Sequence, residues 1–196
     1  MKTTLLNTVL ILLGFCFANN QIPKDKVDSS FSEDSLNFAI KDLLQDVNKV
    51  PDFTLSSYDG NSYSIRDLEG KVILLNFWAT WCAPCRMEIP ELNEIQKKYS
   101  KEGFLVLGIS ITDTKKALED FSDSYEVNYP LLYAEPDKIE KILLDYGGIY
   151  SVPTSILINK RGESIFNYPG AILKSYDFYD GVYSTLNKKI SEALKE

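Results

Sequence analysis

Residues 71–86 read Lys71-Val72-Ile73-Leu74-Leu75-Asn76-Phe77-Trp78-Ala79-Thr80-Trp81-Cys82-Ala83-Pro84-Cys85-Arg86. The first half is a nearly continuous apolar run, the pattern of a strand buried on both faces of a sheet. From Cys82 onward Ile89, Leu92 and Ile95 recur at helical spacing, which predicts a helix over residues 82–99. Two intervening residues bring Cys82 and Cys85 onto one helical turn, close enough to form a disulfide. Cys82 falls at the helix N-terminus. Unpaired backbone N–H groups and the positive end of the helix dipole favour a thiolate there. A lowered pKa makes that sulfur a nucleophile near neutral pH. Cys85, one turn inside, is shielded, and its role is to attack a mixed disulfide and release the partner. Pro84 lies in the first turn, where its missing N–H costs little. Two plainer readings compete. Half a zinc site would need a second CxxC or a histidine, and the chain has neither. An inert disulfide closing so short a loop removes little unfolded-state entropy.

Outward from this segment the pattern alternates. Residues 104–109 read as a second buried strand, 114–125 as a helix, and 137–146 as a helix capped by Gly147-Gly148. Residues 154–159 read as a strand, Lys160-Arg161-Gly162-Glu163 as its turn and 164–167 as the return of a hairpin. Residues 177–194 form a closing amphipathic helix. Upstream, Val50-Pro51-Asp52-Phe53-Thr54-Leu55 reads as an edge strand that turns at Tyr58-Asp59-Gly60-Asn61 and returns over 62–65. Strands alternating with helices, then a hairpin and a helix, make an α/β layered domain over residues 50–196. Leu36, Ile40, Leu43, Leu44 and Val47 give residues 35–49 an amphipathic helical period. Together with a polar linker from residue 19 they form a separate segment, 19–49.

Composition narrows the function. The 196 residues are 44% hydrophobic and 25% charged, which fits one globular domain. A net charge of −7 lacks the positive field with which nucleic-acid binders neutralise phosphates, so no nucleic-acid partner is expected. The absence of histidine removes Ser-His-Asp and Cys-His catalysis and His-ligated metal sites. No metal or cofactor is expected.

The third cysteine, Cys16, lies in an N-terminal address. Lys2 precedes an apolar stretch over residues 9–18 that is too short to span a bilayer. A charged start, a short apolar core and small residues at its end read as a secretory signal peptide over 1–18, cleaved before Asn19. A lipoprotein signal ending before a lipid-modified Cys16 and an uncleaved anchor are the other two readings. All three place the domain outside the cytoplasm, with any membrane contact made only through that anchor or lipid.

The segment from Leu75 to Arg86 resembles the active-site segment of thioredoxin-fold proteins, and more narrowly the TlpA/ResA branch of exported thiol-disulfide oxidoreductases. Pro51-Asp52-Phe53, Glu88-Ile89-Pro90-Glu91-Leu92 and Ser151-Val152-Pro153-Thr154 support the likeness in order and context. It covers roughly residues 50–194. The resemblance implies a thioredoxin-like three-layer fold with a central mixed sheet, an N-terminal β-hairpin and a central helical insertion. It implies a protein-disulfide reductase in which Cys82 attacks and Cys85 resolves. Pro153 would be cis and face the disulfide, with the Val152 backbone pairing an extended substrate. Trp81 and Pro84 would border the same surface, and Trp78 would pack in the core. Glu88, one turn beyond Cys85, would accept the Cys85 proton. The branch further implies a periplasmic or outer-face location, a membrane electron donor of the CcdA/DsbD type, and substrates that include the CxxCH disulfide of apocytochrome c. Asn76 departs from the buried Asp of cytoplasmic thioredoxins and reads as a structural hydrogen-bonder. Two other functions stand beside this one. A peroxiredoxin-like peroxide reductase would carry Pro seven residues and Thr or Ser three residues before its cysteine, where this chain has Trp78 and Cys82, or Leu75 and Ala79. A tethered, non-enzymatic binding module would keep the pair idle.

Overall fold

A computed structural model describes residues 49–196. Seven strands form one sheet: β1 (Thr54–Ser57), β2 (Ser62–Ser64), β3 (Val72–Trp78), β4 (Phe104–Ser110), β5 (Leu131–Tyr133), β6 (Thr154–Ile158) and β7 (Ser164–Pro169). Their spatial order is β2-β1-β5-β4-β3-β6-β7. β3, β4 and β5 run parallel, while β6 pairs antiparallel with β3, and β7 with β6. The helices are α1 (Ala83–Tyr99), α2 (Lys115–Ser124), α3 (Pro136–Asp145), α4 (Asp177–Asp180) and α5 (Val182–Ala193). This is the mixed-sheet, thioredoxin-like α/β fold.

The pleat of β3 divides the interior. All seven of its residues are buried, and alternate side chains go to opposite faces. Val72, Leu74 and Trp78 join a core with Leu92 and Ile95 of α1, Leu118 of α2 and Leu186 and Ile190 of α5. Ile73, Leu75 and Phe77 join the other, with Ile139 and Ile142 of α3 and Phe53 and Leu55 of the N-terminal hairpin. The sheet is therefore the middle of three layers. Both faces remove side chains from water at roughly 25 cal/mol per Å² of apolar area.

Three elements differ from the sequence reading. The first strand begins at Thr54 and is internal, because β5 pairs with its free side (Ser56↔Tyr133) and leaves β2 at the edge. The reading missed β5 altogether: three residues are too few to show a period. The closing helix over 177–194 is two helices. Gly181, at φ 62°, sits in the left-handed region and ends α4 before α5 begins, a cap that glycine fills without steric cost. The signal segment, Cys16 and the linker lie outside the described residues, as does the amphipathic helix except for its last residue. Lys49 forms an isolated antiparallel bridge with Glu163.

Candidate active site

The end of β3 and the start of α1 carry the cysteines. Cys82 is the N-cap of α1, in extended conformation, and its sulfur accepts the Cys85 N–H at 3.2 Å. Pro84 occupies the first turn, exposed. The Cys82 and Cys85 sulfurs are bonded at 2.04 Å, with Cα atoms 5.3 Å apart. Cys85 is 1% exposed and Cys82 4%, so both residues of the closed disulfide are buried. The Val152–Pro153 peptide is cis, and the Val152 carbonyl lies 3.8 Å from Cys82 Sγ. Val152 is half-buried and Pro153 buried at the foot of β6. Trp78 is buried and stacks at a tilt on Phe121, centroids 5.0 Å apart. Trp81 is 61% exposed beside the pair.

A latch that sequence reasoning missed holds the approach to Cys82. The Asp113 carboxylate accepts from the Thr80 N–H (2.9 Å), the Thr80 hydroxyl (2.7 Å) and the Ser110 hydroxyl (2.7 Å). Arg86 donates to the Thr80 carbonyl at 2.8 Å, and the Trp81 indole N–H donates to the Thr112 hydroxyl at 2.9 Å. Neither Ser110, Thr112 and Asp113 nor their partner Thr80, thirty residues or more earlier, stood out in the sequence.

Glu88 is fully buried. Oε1 accepts from Asn76 Nδ2 at 2.8 Å, and Oε2 accepts from the Ile172 backbone N–H at 2.8 Å. Asn76 Nδ2 also donates to Ser155 Oγ at 3.1 Å. The pleat explains the meeting. Asn76 shares a face with Leu74 and Trp78, toward α1, and Ser155 is its cross-strand partner on β6. Burial pushes the Glu88 carboxyl up to about 7, against the lowering effect of the Ile172 and Asn76 hydrogen bonds. Desolvation of the charged form outweighs the donors. The structure thus brings Cys82, Cys85, Trp81, Pro84, Val152 and Pro153 to one end of the sheet, with Glu88 a turn below them inside the core. Asn76 was singled out in the sequence without its partner. Ser155 and Ile172 carried no signal.

A disulfide at a helix N-terminus, facing a cis-proline at the foot of an antiparallel strand in this sheet order, defines a thioredoxin-fold thiol-disulfide protein. The model of the AhpC/TSA family matches residues 47–163. Among curated relatives, the thiol-disulfide oxidoreductase ResA of Bacillus cereus is 34% identical over 84% of this chain and 87% of its own length. ResA of Bacillus thuringiensis is 35% identical over 65% and 72%. A thiol:disulfide interchange protein of Chlorobium tepidum superposes with a TM-score of 0.63 at 28% identity, covering 75% of this chain and 96% of that one. The exposed lipoprotein thioredoxin Etrx1 of Streptococcus pneumoniae gives 0.58 at 27%, covering 71% and 99%. The chain belongs to the ResA family of thiol-disulfide oxidoreductases, within the wider AhpC/TSA family.

Proposed function

We propose that this oxidoreductase works outside the cytoplasm as a reductase of protein disulfides. Cys82 thiolate attacks a substrate disulfide, one substrate sulfur leaves as a thiol after protonation, and a mixed disulfide forms. Cys85 gives its proton to Glu88 and attacks Cys82 Sγ. The Cys82–Cys85 bond closes and the second substrate sulfur leaves. The substrate gains two electrons and the protein loses two. Orphan N–H groups at the N-terminus of α1 stabilise the attacking thiolate. The exposed Trp81 and Pro84 give the substrate an apolar footing, and the Val152 backbone beside Pro153 pairs its extended chain.

The observation that carries the reading is the pairing of an N-capping cysteine with a fully buried carboxylate one turn behind its partner. An idle structural disulfide has no use for a buried group poised to titrate near neutrality. The ResA relatives support the activity. The short apolar segment before residue 19 and the lipoprotein relative support export, with Cys16 as the lipid site if the signal is of that type. A membrane protein of the CcdA/DsbD type is the proposed donor that restores the dithiol. The CxxCH disulfide of apocytochrome c is the proposed substrate.

The deciding experiment is the reduction potential of the Cys82–Cys85 couple in defined thiol buffers. A value at or below about −250 mV fits a reductase, and one near about −120 mV reverses the direction of electron flow. With apocytochrome c disulfide as substrate, Cys82→Ser abolishes turnover and Cys85→Ser accumulates the mixed disulfide. Full activity in Cys82→Ser would sink the mechanism.

A further inference from the structure

The face of β3 toward α1 places an amide where the strand otherwise presents hydrocarbon. Asn76 is 2% exposed, and a buried amide is costly unless its hydrogen-bonding groups find partners. Its Nδ2 serves two of them, Glu88 Oε1 and Ser155 Oγ. With the Ile172 N–H on Oε2, each carboxylate oxygen meets a donor. An ionised carboxylate only accepts, so this arrangement fits the charged form. A protonated Glu88 carries an O–H that needs an acceptor. Turned by half a rotation about its last bond, Asn76 offers Oδ1 to that O–H. The Ser155 hydroxyl rotates from accepting to donating and stays satisfied. An apolar residue at position 76 could serve neither state, and an aspartate could not donate to the charged one unless it held a proton itself.

We propose that Asn76, braced by Ser155, is a positioning residue that sets the proton affinity of Glu88, holding the carboxylate when charged and turning its amide to hold it when neutral. The inference rests on the reading of Glu88 as the acceptor of the Cys85 proton. The other groups around Glu88 are few. Cys85 lies one turn before it on α1, and Glu91, nearly a turn after it, raises its pKa through like charge. Tyr129, ahead of β5, and Tyr168 on β7 both feel the Glu88 charge, and burial raises both phenols above their ordinary value, so they stay neutral. Among the described residues, no Lys or Arg acts on its titration. The amide is thus the side-chain donor through which the protein tunes this carboxyl.

The test is a carbon-13 NMR titration of the Glu88 side-chain carboxyl in the full-length oxidised protein, alongside the pH profile of the resolving step. Asn76→Ala removes a charge-assisted hydrogen bond from the ionised form and a weaker neutral one from the protonated form, so it raises the Glu88 midpoint by the difference, about half a pH unit to one unit. The kinetic profile shifts with it. Ser155→Ala loosens the amide and gives a smaller shift the same way, and it carries the test if Asn76→Ala does not fold. In a Glu88→Gln background, Asn76→Ala leaves the pH profile where it was. A purely structural Asn76 would lower stability without moving either midpoint. Unmoved midpoints in the variants that fold, or a shift that persists in the Glu88→Gln background, overturn the inference. If Glu88→Gln alone leaves the profile unchanged, the proton-acceptor reading falls and this inference falls with it, and that result is distinct from an active Glu88 that ignores Asn76.

Discussion

The two faces of β3 are built from the same strand and do different work. Toward α3 it presents Ile73, Leu75 and Phe77, set among Leu107, Ile109 and Ile156. There, two aromatic rings tilt against Tyr146 with centroids 5.9 Å away, and the Tyr146 hydroxyl reaches out of the core to the Pro51 carbonyl. Toward α1 it presents Leu74, Asn76 and Trp78. This side includes the amide, the carboxyl it holds, and an indole N–H with no partner, the one such buried side-chain polar atom among the described residues. One face is closed and apolar and can only hold the sheet. The other gives up some of that comfort and carries the redox pair. A strand buried on both sides lets a protein place polar chemistry on one while the other secures the fold.

Phe77→Ala strikes the apolar face and should cost about 3–5 kcal/mol. Denaturant melts of the oxidised protein measure it, and the pH profile of activity should stay as it is. If that profile moves, the faces are not independent. Glu88→Gln strikes the other face. The wild-type carboxyl has a folded pKa near 7 against an ordinary 4.5. The folded protein therefore holds that proton while the unfolded chain has released it, and stability falls as pH rises from about 4.5 to 7, then levels off. Integrated over that window the loss is about 3 kcal/mol. The difference between wild-type and Glu88→Gln melts across pH isolates it from the other carboxylates, and a pH-independent difference would break the contrast.

Gly108→Ala is intermediate. A Cβ there would stand 2.9 Å from Leu131 Cδ2 and 3.2 Å from both Trp78 Nε1 and Tyr129 Cε2. Over-packing on the α1 face should cost about 1–3 kcal/mol, read from the melting midpoint, and a cost near zero would show that Leu131 yields freely. Thr114→Ala gives the smallest effect. It removes the cap hydrogen bond to the Ala117 N–H at 3.2 Å and should cost about 1 kcal/mol, with the reduction potential unchanged.

Much of this was legible in the chain. The apolar run into Cys82 and the spacing of Ile89, Leu92 and Ile95 are local patterns that place β3 and α1, whereas the Val152-Pro153 pair was legible only through the family resemblance. β5 escaped because three residues show no period. The break at Gly181 escaped because residues 177–194 keep an amphipathic pattern across it. The Asn76–Ser155 and Thr80–Asp113 contacts escaped for another reason. They join residues far apart in sequence, and only the register of the sheet and the path of a loop bring them together. Polar partners inside a core are a tertiary fact, and a single sequence holds no period for them.

The short strand β5 has a consequence for the order of assembly. The N-terminal hairpin meets the rest of the sheet through it alone, at Ser56↔Tyr133 and Ser57↔Leu132. Chain made early must therefore wait for chain made late. Closing so long a loop is entropically costly, and contacts of this reach slow folding. The parallel centre can form from β3, α1 and β4, which are neighbours along the chain, whereas β1 and β2 gain their strand pairing with the rest of the sheet only once β5 is laid down. In native-state hydrogen exchange the hairpin amides should open first and those of β3 and β4 last.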